Sequence, residues 1–204
     1  GKVEHTLWVV TEPDDIAKIT QGFDRVKVIY IADGHHRTAA ASRIAEARKA
    51  SNPNHTGEEP YNFFLIVSFP ESEVQILDYN RVVKDLNGLS EAEFIELIRA
   101  DFIVEEVDKS AKPTVRNTFG MYLADKWYSL ALNNPAPSGG SPVDRLDISL
   151  LTSRLLEPVL GIGDPRLDPR IDFVGGIRGM IELEKRVDSG EWVVAFALFP
   201  TSII

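Results

Sequence analysis

The sequence predicts an α/β or α+β fold: a mixed β-sheet with roughly six or seven strands and about four helices. Three observations carry this. Apolar runs of strand length recur at 26–32 ("VKVIYIA"), 61–69 ("YNFFLIVSF") and 74–83 ("VQILDYNRVV"). Helix-forming stretches with capping residues lie between such runs. Turns rich in Gly, Pro, Asn and Asp divide them.

Each element has its own signal. "HTLWVV" at 5–10 combines β-branched and aromatic residues and predicts a short strand. In "EPDDIAKITQGF", Pro13 suits a first helical turn, Asp14 and Asp15 suit the positive end of the dipole, and Gly22 suits the end. The 26–32 run predicts a buried central strand. "RTAAASRIAEARKA", 37–50, is built of strong helix formers and stops at the polar loop "SNPNHTGEEP". The 61–69 and 74–83 runs predict two strands joined by a short turn. Ser90 and Glu93 stand at capping-box spacing, with apolar positions 94, 97 and 98 on one helical face. "FIVEEV" predicts a strand, and "TFGMYLADKWYSLAL" a hairpin turning at Asp125–Lys126. "NNPAPSGGSP", 133–142, predicts a flexible loop between a core at 1–132 and a helix–strand portion at 143–204 packed on it. That portion holds a helix in "DRLDISLLTSRLLEPVL", a strand-to-glycine junction in "IDFVGG", a helix near 177–187 and a last strand in "EWVVAFALF".

Composition narrows the function. The chain has 204 residues, 44% hydrophobic and 26% charged, the profile of a globular protein with a sizeable core. It has no cysteine, so disulfides, thiolate metal sites and cysteine nucleophiles are excluded, and a reducing cytoplasm is the expected compartment. A formal charge of −9 argues against a nucleic-acid-coating surface. No run reaches the ~20 apolar residues of a membrane span, and no membrane association is expected. The chain starts without Met and reads as a portion of a longer protein.

The most informative stretch is "YIADGHHRTAAA", 30–41. An apolar run ends at Ala32 and a helix is expected from about Arg37. Gly34 between them permits a left-handed turn. A strand–glycine–helix junction aims free backbone N–H groups and the positive dipole end at one point, which favours an anion. His35, His36 and Arg37 add donors there, and Thr38 adds a hydroxyl. Asp33 repels a phosphate unless it serves Mg²⁺ or a reacting proton, so it is the candidate metal ligand or general base. The plainer alternative is that Asp33 caps the helix, the histidines are solvated and Arg37 pairs with Asp33. Zinc is disfavoured, because adjacent histidines rarely converge on one ion.

Three residues elsewhere are candidate substrate contacts. His5 stands near the glycine turn if 5–10 pairs with 26–32; a buried, satisfied histidine is the alternative. Arg81, in an apolar strand, suits a second anion contact or an ion pair with Asp78 or Asp85. Asp172, before the Gly175–Gly176 pair, suits a further contact at a second strand–glycine–helix junction or a plain helix entry.

Gly34, Arg37 and Ala40 match the G-x-x-R-x-x-A signature of the ParB/sulfiredoxin-like nucleotide-binding fold. The fuller "IADGHHR", with "NRVVKDLNGLS", "LEPVLGI" and "IDFVGG", resembles a bacterial and archaeal domain-of-unknown-function family, number one thousand and fifteen. The resemblance implies a ParB/sulfiredoxin-like core binding ATP or ADP with Mg²⁺. Sulfiredoxin chemistry needs a cysteine and is excluded. ParB proteins differ in charge and in their helix-turn-helix. The free-serine kinases of this fold are the remaining analogue, by fold-level analogy. They imply phosphoryl transfer to a small hydroxyl metabolite, with Asp33 and His36 as the catalytic pair and Gly34, His35, His36, Arg37 and Thr38 on the nucleotide. Their upstream catalytic Glu has no motif-matched counterpart among Glu4 and Glu12. The alternative function is a non-catalytic, ParB-like nucleotide switch. A homo-oligomer is compatible with either.

Overall fold

The computed structural model describes residues 4–134 and 141–201. They divide into two compact units, 1–69 and 70–204.

The first unit holds two helices, α1 (Pro13–Asp24) and α2 (His35–Ser51). Helix α1 starts as its sequence demands, with Pro13 in the first turn and Asp14 and Asp15 at the positive end. Its glycine lies inside the helix; the end comes at Arg25. The loop after α2 is organised around one carboxylate. Glu59 accepts from the Thr56 and Gly57 amides at 2.7 and 3.0 Å and from Asn62 Nδ2 at 2.9 Å. The Thr56 amide foremost, with the Glu59 and Gly57 amides and the Thr56 hydroxyl, pulls the Glu59 pKa down to about 2. His55 stacks on Tyr61, 5.8 Å between ring centroids.

Three expected strands are absent from this unit. Residues 5–10, 26–32 and 63–69 of the expected 61–69 strand join no ladder among the described residues. Their large apolar side chains are exposed, from 47% at Val10 to 91% at Leu65. Tyr61 and Asn62, expected to open the 61–69 strand, instead lie in a 3-10 turn, Pro60–Asn62. An apolar run records a demand for burial, but a strand exists only where another strand supplies the hydrogen bonds.

The second unit holds β1 (Tyr79–Val83), α3 (Glu91–Ile98), β2 (Phe102–Val107), β3 (Thr118–Leu123), β4 (Lys126–Leu132), α4 (Asp147–Leu151), β5 (Ile171–Gly175), α5 (Met180–Asp188) and β6 (Val194–Leu198). The strands form one six-stranded sheet in the order β2-β4-β3-β6-β1-β5. Every pairing is antiparallel. The chain is thus of the expected α/β or α+β class, with strands from both sides of 133–142 in one sheet. Of that expected flexible loop, residues 135–140 lie outside the described residues.

The two faces of the sheet carry separate cores. Phe94 and Ile98 of α3, with Leu150, Leu151, Leu155 and Leu156, cover Phe119, Leu130 and Phe196. Leu183 of α5 and Trp192 pack with Val82, Trp127 and Val174 on the other face. Helix α3 begins at the expected capping box: Glu93 N–H donates to Ser90 Oγ, and Ser90 N–H to Glu93 Oε2 at 2.9 Å. The β3–β4 turn falls on Ala124–Asp125, one residue before the expected position. Both residues are left-handed, at φ 49 and 61, the geometry of a two-residue hairpin loop.

Other boundaries shift as well. Only 79–83 of the 74–83 run is laddered. The single helix expected in 144–160 is a short α4 running into one π-helical stretch, Thr152–Leu156. The helix expected near 177–187 is a 3-10 turn, Gly176–Arg178, then α5 after Gly179 at φ 72. Among the described residues, no helix is long and apolar enough to cross a membrane.

Gly120 in β3 shows how tightly the 108–117 loop lies on the sheet. A Cβ built there would overlap the Ala111 carbonyl oxygen. Gly120→Ala is expected to destabilise the chain by about 1–3 kcal/mol through overpacking. Urea unfolding checks this: the midpoint should fall, and an unchanged midpoint contradicts the packing described.

Candidate functional site

The DGHHR turn lies between the extended 26–32 segment and α2. Gly34 is the N-cap residue, at φ 80 and ψ 24. An L side chain is strained in that conformation, so the glycine fits it. The helix starts two residues earlier than expected, at His35, so the two histidines and Arg37 form its first turn. No side chain caps it, and the first turn has no acidic residue. Thr38 N–H donates to the Gly34 carbonyl at 2.9 Å, so the amides of His35, His36 and Arg37 precede the first intrahelical bond.

Arg37 folds back over this turn. Its Nη2 lies 3.1 Å from where a Gly34 Cβ would stand, and 3.7 Å from Asp33 Oδ2. The two side chains are 76% and 95% exposed, so that ion pair has little hold on either. Taken alone, the unit presents an open turn: Asp33, His35, His36 and Arg37 are exposed, and Gly34 and Thr38 half-buried. Asp33 does not cap α2, while the histidines are exposed and Arg37 lies beside Asp33, as the plainer alternative has it. The arrangement brings free amides, a guanidinium and one carboxylate to a single point. Among the described residues no three His, Cys, Asp or Glu side chains group to hold a metal ion by themselves. A Mg²⁺ ion here would take Asp33 together with phosphate oxygens, a donor set this ion accepts.

His5 lies in the exposed extended segment, and no ladder joins 5–10 to 26–32 among the described residues. Asp172 sits near the start of β5, opposite Val82, and accepts from Arg186 Nη1 of α5 at 3.2 Å. Arg186 also reaches Glu182, at 3.4 Å. Asp172 thus anchors α5 to the sheet edge, three residues before the glycine pair.

Arg81 is buried in β1, 7% exposed, and pairs with neither Asp78 nor Asp85. Asp85 instead meets Arg170 at 3.4 Å, and Arg170 also donates to the Leu160 and Gly161 carbonyls, fastening the 157–170 loop. Burial drops the Arg81 pKa to about 10, still a cation at neutral pH.

Asp78 and Asn80 form a buried polar pair beside it. Asn80 Nδ2 donates to Asp78 Oδ2 at 2.6 Å, and Asn80 Oδ1 accepts from the Leu198 amide at 3.0 Å. Gly176 N–H donates to the Asp78 carbonyl at 2.7 Å, and a Cβ at Gly176 would collide with the Asp78 carboxylate. Sequence reasoning found Asn80 and Arg81 by their polarity in an apolar run. It missed the part played by Asp78 and Gly176, whose only trace was an acid and a glycine pair about a hundred residues apart.

A glycine turn at a helix start and a separate α+β sheet unit characterise the chain. A family model described as "Protein of unknown function (DUF1015)" matches residues 1–149, and the chain belongs to that family. The match includes the DGHHR turn and β1, and leaves "LEPVLGI" and "IDFVGG" beyond it. Neither the curated proteins nor the solved structures contain a match.

Asn80→Ala leaves the buried Leu198 amide and the Asp78 carboxylate short of a partner. It is expected to cost about 1–3 kcal/mol. Chemical denaturation with a clearly lower midpoint supports this; an equal midpoint excludes the pair as a structural element.

Proposed function

We propose that the Asp33–Thr38 turn binds the phosphates of ATP or ADP, and that the chain transfers a phosphoryl group from it to a small hydroxyl metabolite such as L-serine. The observation that carries this reading is the uncapped, left-handed Gly34 start of α2 with the Arg37 guanidinium folded over it. Free amides and a fork of donors at one point suit an oxyanion. The resemblance of G-x-x-R-x-x-A to ParB/sulfiredoxin-like proteins supports a nucleotide as the source of that oxyanion.

A Mg²⁺ ion held by Asp33 and the nucleotide's own oxygens would supply charge neutralisation. The chain's own groups do the rest. The amides of His35, His36 and Arg37 orient the phosphates, and Thr38 adds a hydroxyl. His36 donates to the phosphoryl oxygens as charge builds. Asp33 takes the acceptor's proton as its oxygen bonds to the terminal phosphorus, and the bond from phosphorus to the departing nucleotide oxygen breaks. Positioning and electrostatics carry most of the rate in such transfers. The lack of cysteine suits a reducing, cytoplasmic setting.

Two variants test this. Arg37→Ala should weaken nucleotide binding by about 1.5–3 kcal/mol with the fold intact, read by calorimetry; unchanged affinity contradicts the site. Asp33→Asn keeps the shape and removes a repulsive charge. Nucleotide affinity should hold or improve while turnover with magnesium falls by ~10²-fold or more. Binding without turnover in the wild type, across hydroxyl metabolites with ATP and with ADP, would instead indicate a ParB-like switch.

A further inference from the structure

The Arg81 guanidinium has five N–H groups, and the chain uses two of them. Both run from Nη1, to the Tyr79 carbonyl at 2.6 Å and the Asn80 carbonyl at 3.1 Å. Nε is fully buried and has no acceptor, and Nη2 donates to nothing among the described residues. The unused edge, Nε with Nη2, is the side-on fork that meets two oxygens of one oxyanion. A cation buried this deeply ordinarily has a carboxylate partner. Here the two nearby acids are engaged elsewhere, Asp78 with Asn80 and Asp85 with Arg170.

The surroundings select among oxyanions. Arg81 stands opposite Phe173 on β5 and Phe196 on β6, so an aromatic row crosses three strands with the guanidinium at its middle. Its Cζ lies 4.4 Å from the Phe173 ring centre and 5.0 Å from that of Tyr79. The Tyr79 and Phe173 rings stack on each other at 5.4 Å. These contacts hold the cation and leave the fork unsatisfied. In so apolar a place, one positive charge is balanced by one negative charge; a dianion would leave a buried excess.

We propose that Arg81 is the anchor of a binding site for a small monocarboxylate. The carboxylate meets Nε and Nη2 side-on, and its apolar body lies against the Tyr79 and Phe173 rings. Tyr79 is 56% exposed, so its ring is the wall that turns aside to admit the ligand. The site lies wholly within the 70–204 unit and does not depend on the nucleotide reading of the 33–38 turn.

The experiment is a titration of the full chain, labelled with ¹⁵N-arginine, followed at the Nε–H resonances. Arg81→Lys keeps the charge, removes the fork and assigns the Arg81 peak by its loss; should that variant misfold, Arg81→Gln serves. Sodium formate, sodium propionate and sodium phosphate are the probes, with sodium chloride at matched ionic strength. The expected result is a saturable shift of the Arg81 peak with formate, reached at several-fold lower concentration with propionate because its alkyl group gains ring contact. A peak that follows ionic strength alike in all four salts overturns the proposal. Saturation by phosphate but not by the carboxylates overturns it too.

Discussion

The sheet of the 70–204 unit depends on β1 pairing with two strands that come more than eighty residues later in the chain. β5 lies on one side of it and β6 on the other. The β5 ladder uses all of Tyr79–Val83 and the β6 ladder shares three of those residues, Arg81, Val82 and Val83, so any slip of β1 would break two pairings and exchange the two core faces. Asn80 secures the register. Its side-chain amide ties Asp78 and the Leu198 backbone together inside the protein, a polar pin within β1. Gly176 then lets the end of β5 close over Asp78. One short strand thereby fixes the position of Arg81, Phe173 and Asp172 at once.

Much of this unit was legible in the sequence because its signals are local. The capping box at Ser90 and Glu93 needs four residues, and the β3–β4 hairpin needs the run from Thr118 to Leu132. The turn slipped by one residue because Ala124, a poor residue for φ > 0, accepts it under the pull of the flanking ladder. The π-helical stretch at Thr152–Leu156 was not legible, since leucines at these spacings suit an α-helix equally well. The tie between Asp78 and Gly176 was not legible either, because long-range contacts leave no periodic trace.

The first unit shows the opposite balance. The apolar segments at 26–32 and 61–69 read as buried strands, yet Tyr30 is 68% and Val67 76% exposed. Their composition states what they would bury and says nothing of the partner. In the turn before α2 the glycine was legible, although no ladder includes the strand expected ahead of it and the helix starts two residues early. Its glycine, its donors and its place at a helix start depend only on neighbours in sequence, and Gly34 at φ 80 has the left-handed conformation that the pattern calls for. The carboxylate of Asp33 stands among these donors without capping the helix. That leaves an exposed carboxylate 3.7 Å from the Arg37 guanidinium at the start of the helix.

The central claim is that this turn holds a nucleotide's phosphates. Backbone amide shifts of the ¹⁵N-labelled full chain, titrated with ADP and magnesium, test it most directly. Phosphate binding predicts saturable shifts concentrated at the amides of residues 34–38, with their solvent exchange slowed. Amides 34–38 that stay in place while ADP saturates another region, or while nothing moves at all, would contradict it.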